Sequence, residues 1–112
     1  MNLLKSLRWS VASAATAYIG QALNGFVEAQ NGGLMPVFRP ICGPYSGQQI
    51  DFIHACASGA TRYPALADWI NIPYWIISPG DVLILAGVIG TLVMAVFVVV
   101  ATIKLVARKL RK

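Results

Sequence analysis

Between Asp81 and Lys104 the chain runs through 22 residues, Val82–Ile103, with no charge and no polar stripe. As a helix rising ~1.5 Å per residue this stretch is about 33 Å long, close to the ~30 Å hydrocarbon thickness of a bilayer. A core helix of a soluble domain keeps one polar face, and a buried strand ends after about 4–8 residues, so neither fits. The pattern predicts a transmembrane helix. Its start is spelled Ser78-Pro79-Gly80-Asp81. Ser78 can cap the free backbone N–H groups, Pro79 takes the first helical position, and Asp81 completes a capping box at the positive end of the helix dipole. A carboxylate explained in this way has little claim to an ion-pathway role, which belongs to acids deep in the membrane.

A second, weaker stretch lies near the start. Trp9–Val27 gives 19 uncharged residues, but they are largely Ala, Ser, Gly and Thr, with Gln21 and Asn24 embedded. Lys5 and Arg8 ahead of Ala-Ser-Ala-Ala-Thr-Ala are similar to a secretory signal; the reading adopted is an uncleaved membrane anchor. Ala12, Thr16, Gly20 and Asn24 recur every four residues, which predicts a face of small and hydrogen-bonding side chains for close helix packing. Gly87, Gly90 and Thr91 offer a matching face on the later span, and Tyr18, Ile19 and Phe26 are left for lipid.

Charge sets the expected orientation. Of 112 residues, 57% are hydrophobic and 12% charged, with a net charge of +5 and a mean hydropathy of +0.66. Five of the nine bases (Lys104, Arg108, Lys109, Arg111, Lys112) crowd the last nine positions, and Lys5 and Arg8 sit in the first eight. All four acids and only Arg39 and Arg62 lie between. Basic flanks stay on the cytoplasmic side, so both termini are expected inside a bacterial inner membrane and the intervening loop outside. The expectation is an all-α membrane protein: a two-span transmembrane helical hairpin with segments 1–30, 31–78 and 79–112. The basic tail is expected to meet anionic lipid headgroups at ~1 kcal/mol per residue, and nucleic acid is not expected as a partner.

Residues 28–80 contain all six prolines, both cysteines and the lone histidine. They also contain Phe38, Ile41, Tyr45, Phe52, Tyr63, Trp69, Tyr74 and Trp75, too much apolar surface for a disordered linker. A compact extracytoplasmic cap is expected. One short helix is predicted from Gln48 or Gln49 through Cys56 and another from Pro64 to Trp69. Tyr63, Trp69, Tyr74 and Trp75 suit an aromatic belt at the membrane interface, with Trp9 at the opposite one. Cys42 and Cys56 fall on the oxidising side, where a disulfide forms; two free thiols, or a metal site adding His54, are the alternatives. Three ligands make a poor zinc site, so no metal or cofactor is expected. Asp51, His54 and Asp68 are residue types that make an acid–base group, although their spacing does not demand one. No G-x-S-x-G, phosphate loop, H-E-x-x-H or C-x-x-C-H is present, and an enzyme is not expected.

Three stretches, "NGGLMPV" (31–37), "DFIHACASGATRYPALADWINIP" (51–73) and "ISPGDVLILAGV" (77–88), resemble the C-terminal half of an uncharacterised family of multi-span bacterial membrane proteins. The shared spellings are N-G-G-x-M-P, T-x-x-x-x-L-x-D-x-I-x-x-P and S-x-G-D. The resemblance brings no activity, substrate or cofactor and says nothing of the cysteines. Such proteins carry further spans before the N-G-G turn, where this chain shows one, so helix faces packed in the relatives would be open here. Asn31-Gly32-Gly33 suits a helix end that needs positive φ, and Pro36 forbids continuation. Asp68 is expected to bond loop backbone or pair with Arg62. Any ligand would be sought at Asn31, Asp68 and Asp81. The function expected is that of a small non-catalytic accessory subunit in a larger integral membrane complex, such as a respiratory or photosynthetic one. The alternative is a homo-oligomeric pore or holin-like permeabiliser.

Overall fold

The computed structural model describes residues 1–38, 42 and 46–112; Arg39, Ile41 and Tyr45 lie outside the described residues. Helix α1 spans Leu3–Gln30 and helix α2 spans Pro79–Leu110. Between them come strands β1 (Met35–Val37), β2 (His54–Cys56), β3 (Ile70–Ile72) and β4 (Trp75–Ile77), with a 3-10 turn at Pro64–Leu66.

Two long helices and two small sheets replace the all-α, two-span hairpin expected above. Among the described residues α2 is the one helix long and apolar enough to cross a membrane. α1 carries Lys5, Arg8 and Glu28 within a run of small residues and does not reach that hydropathy. The helix predicted over Gln48–Cys56 is absent: its end is strand β2, because the backbone of this stretch is used to pair with its neighbours. The helix predicted over Pro64–Trp69 shrinks to the turn Pro64–Leu66, and its N-terminal neighbour Tyr63 is left-handed, at φ 53°.

The chain divides into a terminal unit, Met1–Tyr18 with Ile84–Lys112, and a central unit, Ile19–Leu83. The terminal unit is helical. Met1–Leu4 and Ala101–Arg108 line one cavity, so the two segments run antiparallel. Their closest approach is at Gly87, where an added Cβ would collide with the Ala17 backbone N and lie 2.5 Å from the Ser13 carbonyl oxygen. A Cβ on Gly90 would lie 2.6 Å from Ser13 Oγ. On α1 here Ser6 is buried and Leu3, Ser10, Ser13, Thr16 and Ala17 are half-buried; Ser6, Ser10, Ser13 and Ala17 are spaced alternately four and three apart. That step of 3.5 holds one face in line, whereas a strict step of four drifts around the helix. The predicted stripe is corrected accordingly: Ala12 is exposed, and half-buried Thr16 returns its hydroxyl to the Ala12 carbonyl. Outward, α2 presents Leu85, Val88, Ile89, Leu92, Val96, Val99 and Ile103 to the surroundings.

The central unit is built around β1. All three of its residues are buried. β1 pairs in parallel with β2, Met35 opposite His54 and Val37 opposite Cys56, and on its other side Phe38 N–H and Asp68 N–H close a bridge with the Asp68 and Pro36 carbonyls. Residues 47–50 run antiparallel to β2. β3 and β4 form a hairpin with Ile70 opposite Ile77. α1 ends where expected: Gly32 and Gly33 have φ of 73° and 89°, and Gly33 N–H returns to the Glu28 carbonyl at 2.8 Å, a closure glycine makes without Cβ strain. Val27, Met35 and Ala67 form the small core.

Candidate functional site

Three polar constellations lie in the central unit, and each starts from a residue singled out in the sequence. The first is the start of α2. Ser78 N–H donates to Asp81 Oδ2 at 3.0 Å and Asp81 N–H donates to Ser78 Oγ at 3.1 Å, a reciprocal cap. Asn24 from α1 joins it: its amide donates to Asp81 Oδ1 at 2.8 Å, and its Oδ1 accepts the Ser78 hydroxyl at 2.7 Å. Ser78 is fully buried. Gly80 lets the helices meet, since a Cβ there would collide with the Asn24 side chain and lie 2.8 Å from the Gly20 carbonyl oxygen. Each oxygen of Asp81 thus has a donor, and the carboxylate is held as a joint between helices.

The second is Asn31. Its amide donates to the carbonyls of Val27 and Arg62 at 2.8 and 3.0 Å, and its Oδ1 accepts the Arg62 N–H at 2.9 Å. This pins the loop at Arg62 to the end of α1. The backbone of Arg62, rather than its guanidinium, is what Asn31 reads.

The third brings together Asp51, His54 and Asp68. Asp51 Oδ1 accepts the backbone N–H groups of Ile53 and His54 at 2.9 and 2.8 Å. Its Oδ2 lies 2.9 Å from His54 Nδ1, while His54 Nε2 is 3.5 Å from Oδ2 of the buried Asp68. The Ile53 N–H bond first, and the His54 side chain second, hold the Asp51 carboxyl below its ordinary value. A cavity of about 180 Å³ opens beside the three, walled also by Tyr74 and Trp75. The imidazole is bonded to Asp51 through Nδ1 and turns Nε2 toward Asp68. No side-chain nucleophile among the described residues is shown bonded to it.

Cys42 and Cys56 are joined in a disulfide with Cα atoms 5.5 Å apart. Both sulfurs are therefore spent, which removes the metal alternative that paired them with His54; among the described residues no group of three His, Cys, Asp or Glu is placed to hold an ion. Lys104, Arg108, Lys109, Arg111 and Lys112 stand exposed at the end of α2 and beyond it, away in sequence from the polar groups above. Sequence reasoning placed Tyr74 and Trp75 in an aromatic belt and did not foresee the hairpin that carries them. Tyr74 is fully exposed at φ 73° and Phe52 is 97% exposed. The spelling Pro73-Tyr74 between two Ile-rich triplets was the available signal for that tip.

Comparison with known proteins decides the family. The model of DUF5317, a family of unknown function, matches residues 3–94. The chain belongs to DUF5317. An uncharacterised protein of Thermotoga maritima is 37% identical to it over 75 residues, 62% of this chain and 44% of the relative. The chain thus spans less than half the length of that relative. No solved structure matches. The DUF5317 match takes in all three constellations and Gly87 and Gly90, and stops short of the basic tail.

Proposed function

We propose that this DUF5317 member is a small non-catalytic accessory subunit of a larger membrane assembly. On this reading the family is one of multi-span membrane proteins, α2 is seated in the bacterial inner membrane, its basic end faces the cytoplasm, and residues 31–78 lie on the oxidising side. The Cys42–Cys56 disulfide and the apolar exterior of α2 agree with that placement.

The observation that carries the reading is Tyr74. A non-glycine residue at φ 73° costs on the order of 1 kcal/mol, and such strain persists where the surroundings use it. Here it holds out a fully exposed side chain, next to Trp75, which is 67% exposed. Large aromatic side chains offered in this way are the usual anchors of protein contacts.

Native mass measurement after mild detergent extraction tests this. The expected species is heavier than the 12.0 kDa chain by a mass that is not a multiple of it. Tyr74→Gly should release the partner while raising the melting temperature of the isolated chain, because glycine adopts that backbone without strain. A lone 12.0 kDa species would overturn the proposal. A ladder of its multiples would instead support the pore reading, against which stands the lack of any polar stripe on α2.

A further inference from the structure

We propose that the groove at the basic end of the terminal unit binds the headgroup of an anionic phospholipid. Ala101, Lys104, Leu105 and Arg108 share one face of α2, at i, i+3, i+4 and i+7, and with Leu3 and Leu4 of α1 they line a cavity of about 500 Å³. The groove therefore combines apolar walls with two cations one helical turn apart.

Charge complementarity names the occupant. The terminal unit contains Lys5, Arg8, Lys104, Arg108, Lys109, Arg111 and Lys112 and none of the four acids, so no acidic side chain within it competes for Lys104 or Arg108. Asn2 is already engaged: its Oδ1 accepts the Lys5 N–H at 2.8 Å and its carbonyl accepts the Ser6 hydroxyl at 2.9 Å. The cations are left to an external anion.

Depth adds a second argument, and here the inference rests on the membrane placement proposed above. Lys104 is the first charge after the apolar run Val82–Ile103, which puts it at the level of lipid phosphates when that run fills the bilayer. A free phosphate would satisfy the cations and leave Leu3, Leu4 and Leu105 uncovered. A phospholipid covers both, the phosphate on the cations and the glycerol and first methylenes on the leucines.

The test reconstitutes the full chain into vesicles of phosphatidylcholine containing phosphatidylglycerol and follows lipids retained on the protein by native mass spectrometry. Wild type should retain phosphatidylglycerol over phosphatidylcholine. Lys104→Gln with Arg108→Gln should weaken that retention about 30-fold, the factor expected from losing two headgroup-level charges. The charge-matched Lys5→Gln with Arg8→Gln should weaken it no more than about threefold. Equal losses in the two double variants, or displacement of the lipid by inorganic phosphate, would overturn the proposal. Wild type that resists alkaline carbonate extraction yet shows no preference for phosphatidylglycerol would sink the groove and leave the membrane placement standing. Wild type washed from vesicles by carbonate would sink both.

Discussion

The terminal unit holds seven of the nine cations and none of the acids, and its helices meet through Ser13, Ala17, Gly87 and Gly90. The central unit holds all four acids, the disulfide, both sheets and every side chain-to-side chain hydrogen bond among the described residues. The contrast follows from what each must satisfy. A helix closes its own backbone bonds, so the terminal unit can turn apolar side chains outward and keep only hydroxyls on the seam. Strands of three residues close few bonds, and the central unit must fix its loops through Asn31, Asp51 and the Cys42–Cys56 link.

If that division holds, breaking the disulfide should damage one unit and spare the other. Its cysteines are 14 residues apart, and a loop of that size is stabilised by about 3 kcal/mol on the chain-entropy model. With a core among the described residues as small as the cluster Val27, Met35 and Ala67 and the buried Val37, the central unit has little to replace it. Cys42→Ser with Cys56→Ser should strip hydrogen-exchange protection from Met35, Val37 and Cys56→Ser itself, while amides of Leu92–Val100 keep theirs. Loss of protection in both regions together would show a single cooperative unit and end the comparison.

The reverse experiment strikes the seam. Gly87→Leu places four heavy atoms where even a Cβ meets the backbone of Ser13 and Ala17, and overpacking of this kind costs about 1–3 kcal/mol. In the cysteine-free background, Ser13→Cys with Gly90→Cys should cross-link on mild oxidation, since a Cβ on Gly90 would come within 3.0 Å of the Ser13 Cβ. Adding Gly87→Leu should abolish most of that cross-link while far-ultraviolet circular dichroism keeps its helical signal. An undiminished cross-link would place the contact elsewhere.

Much of the two long helices was legible beforehand. A run of 22 uncharged residues admits few folds, and Ser78 with Asp81 spells its own cap. Asn24 was readable as a residue that needs a partner; that the partner would be the cap itself was not, because nothing local links residue 24 to residue 81. The packing face was misread at one position: Ala12, which is exposed, looks like the same stripe as half-buried Thr16 and buried Gly20 until the period of 3.5 selects Ser13 and Ala17. The strands of the central unit were harder. Strands of three residues are too short for alternation to register, and β1 contains Pro36, an unfavourable residue for a strand. The parallel pairing of β1 with β2 depends on bonds between residues 19 apart, which leave no periodic trace. The family match to DUF5317 covers both units and assigns neither a chemistry.

The smallest effect expected distinguishes the units by pH. Asp51 is exposed, so its contribution is screened, but its carboxyl is held below the ordinary value by the Ile53 N–H and by His54. A carboxyl depressed in the folded state stabilises wherever the unfolded group would be ionised, above about pH 4, and the contribution fades as pH falls through the lower folded value. Acidification below about pH 4 should therefore lower the melting temperature of the central unit by an increment that Asp51→Asn removes. The terminal unit has no carboxylate side chain and should show no such increment in the helical signal of Leu92–Val100. An acid response identical in wild type and Asp51→Asn would mean that the turn at 51–54 is held by its backbone bonds alone, and that the charge on Asp51 adds nothing to them.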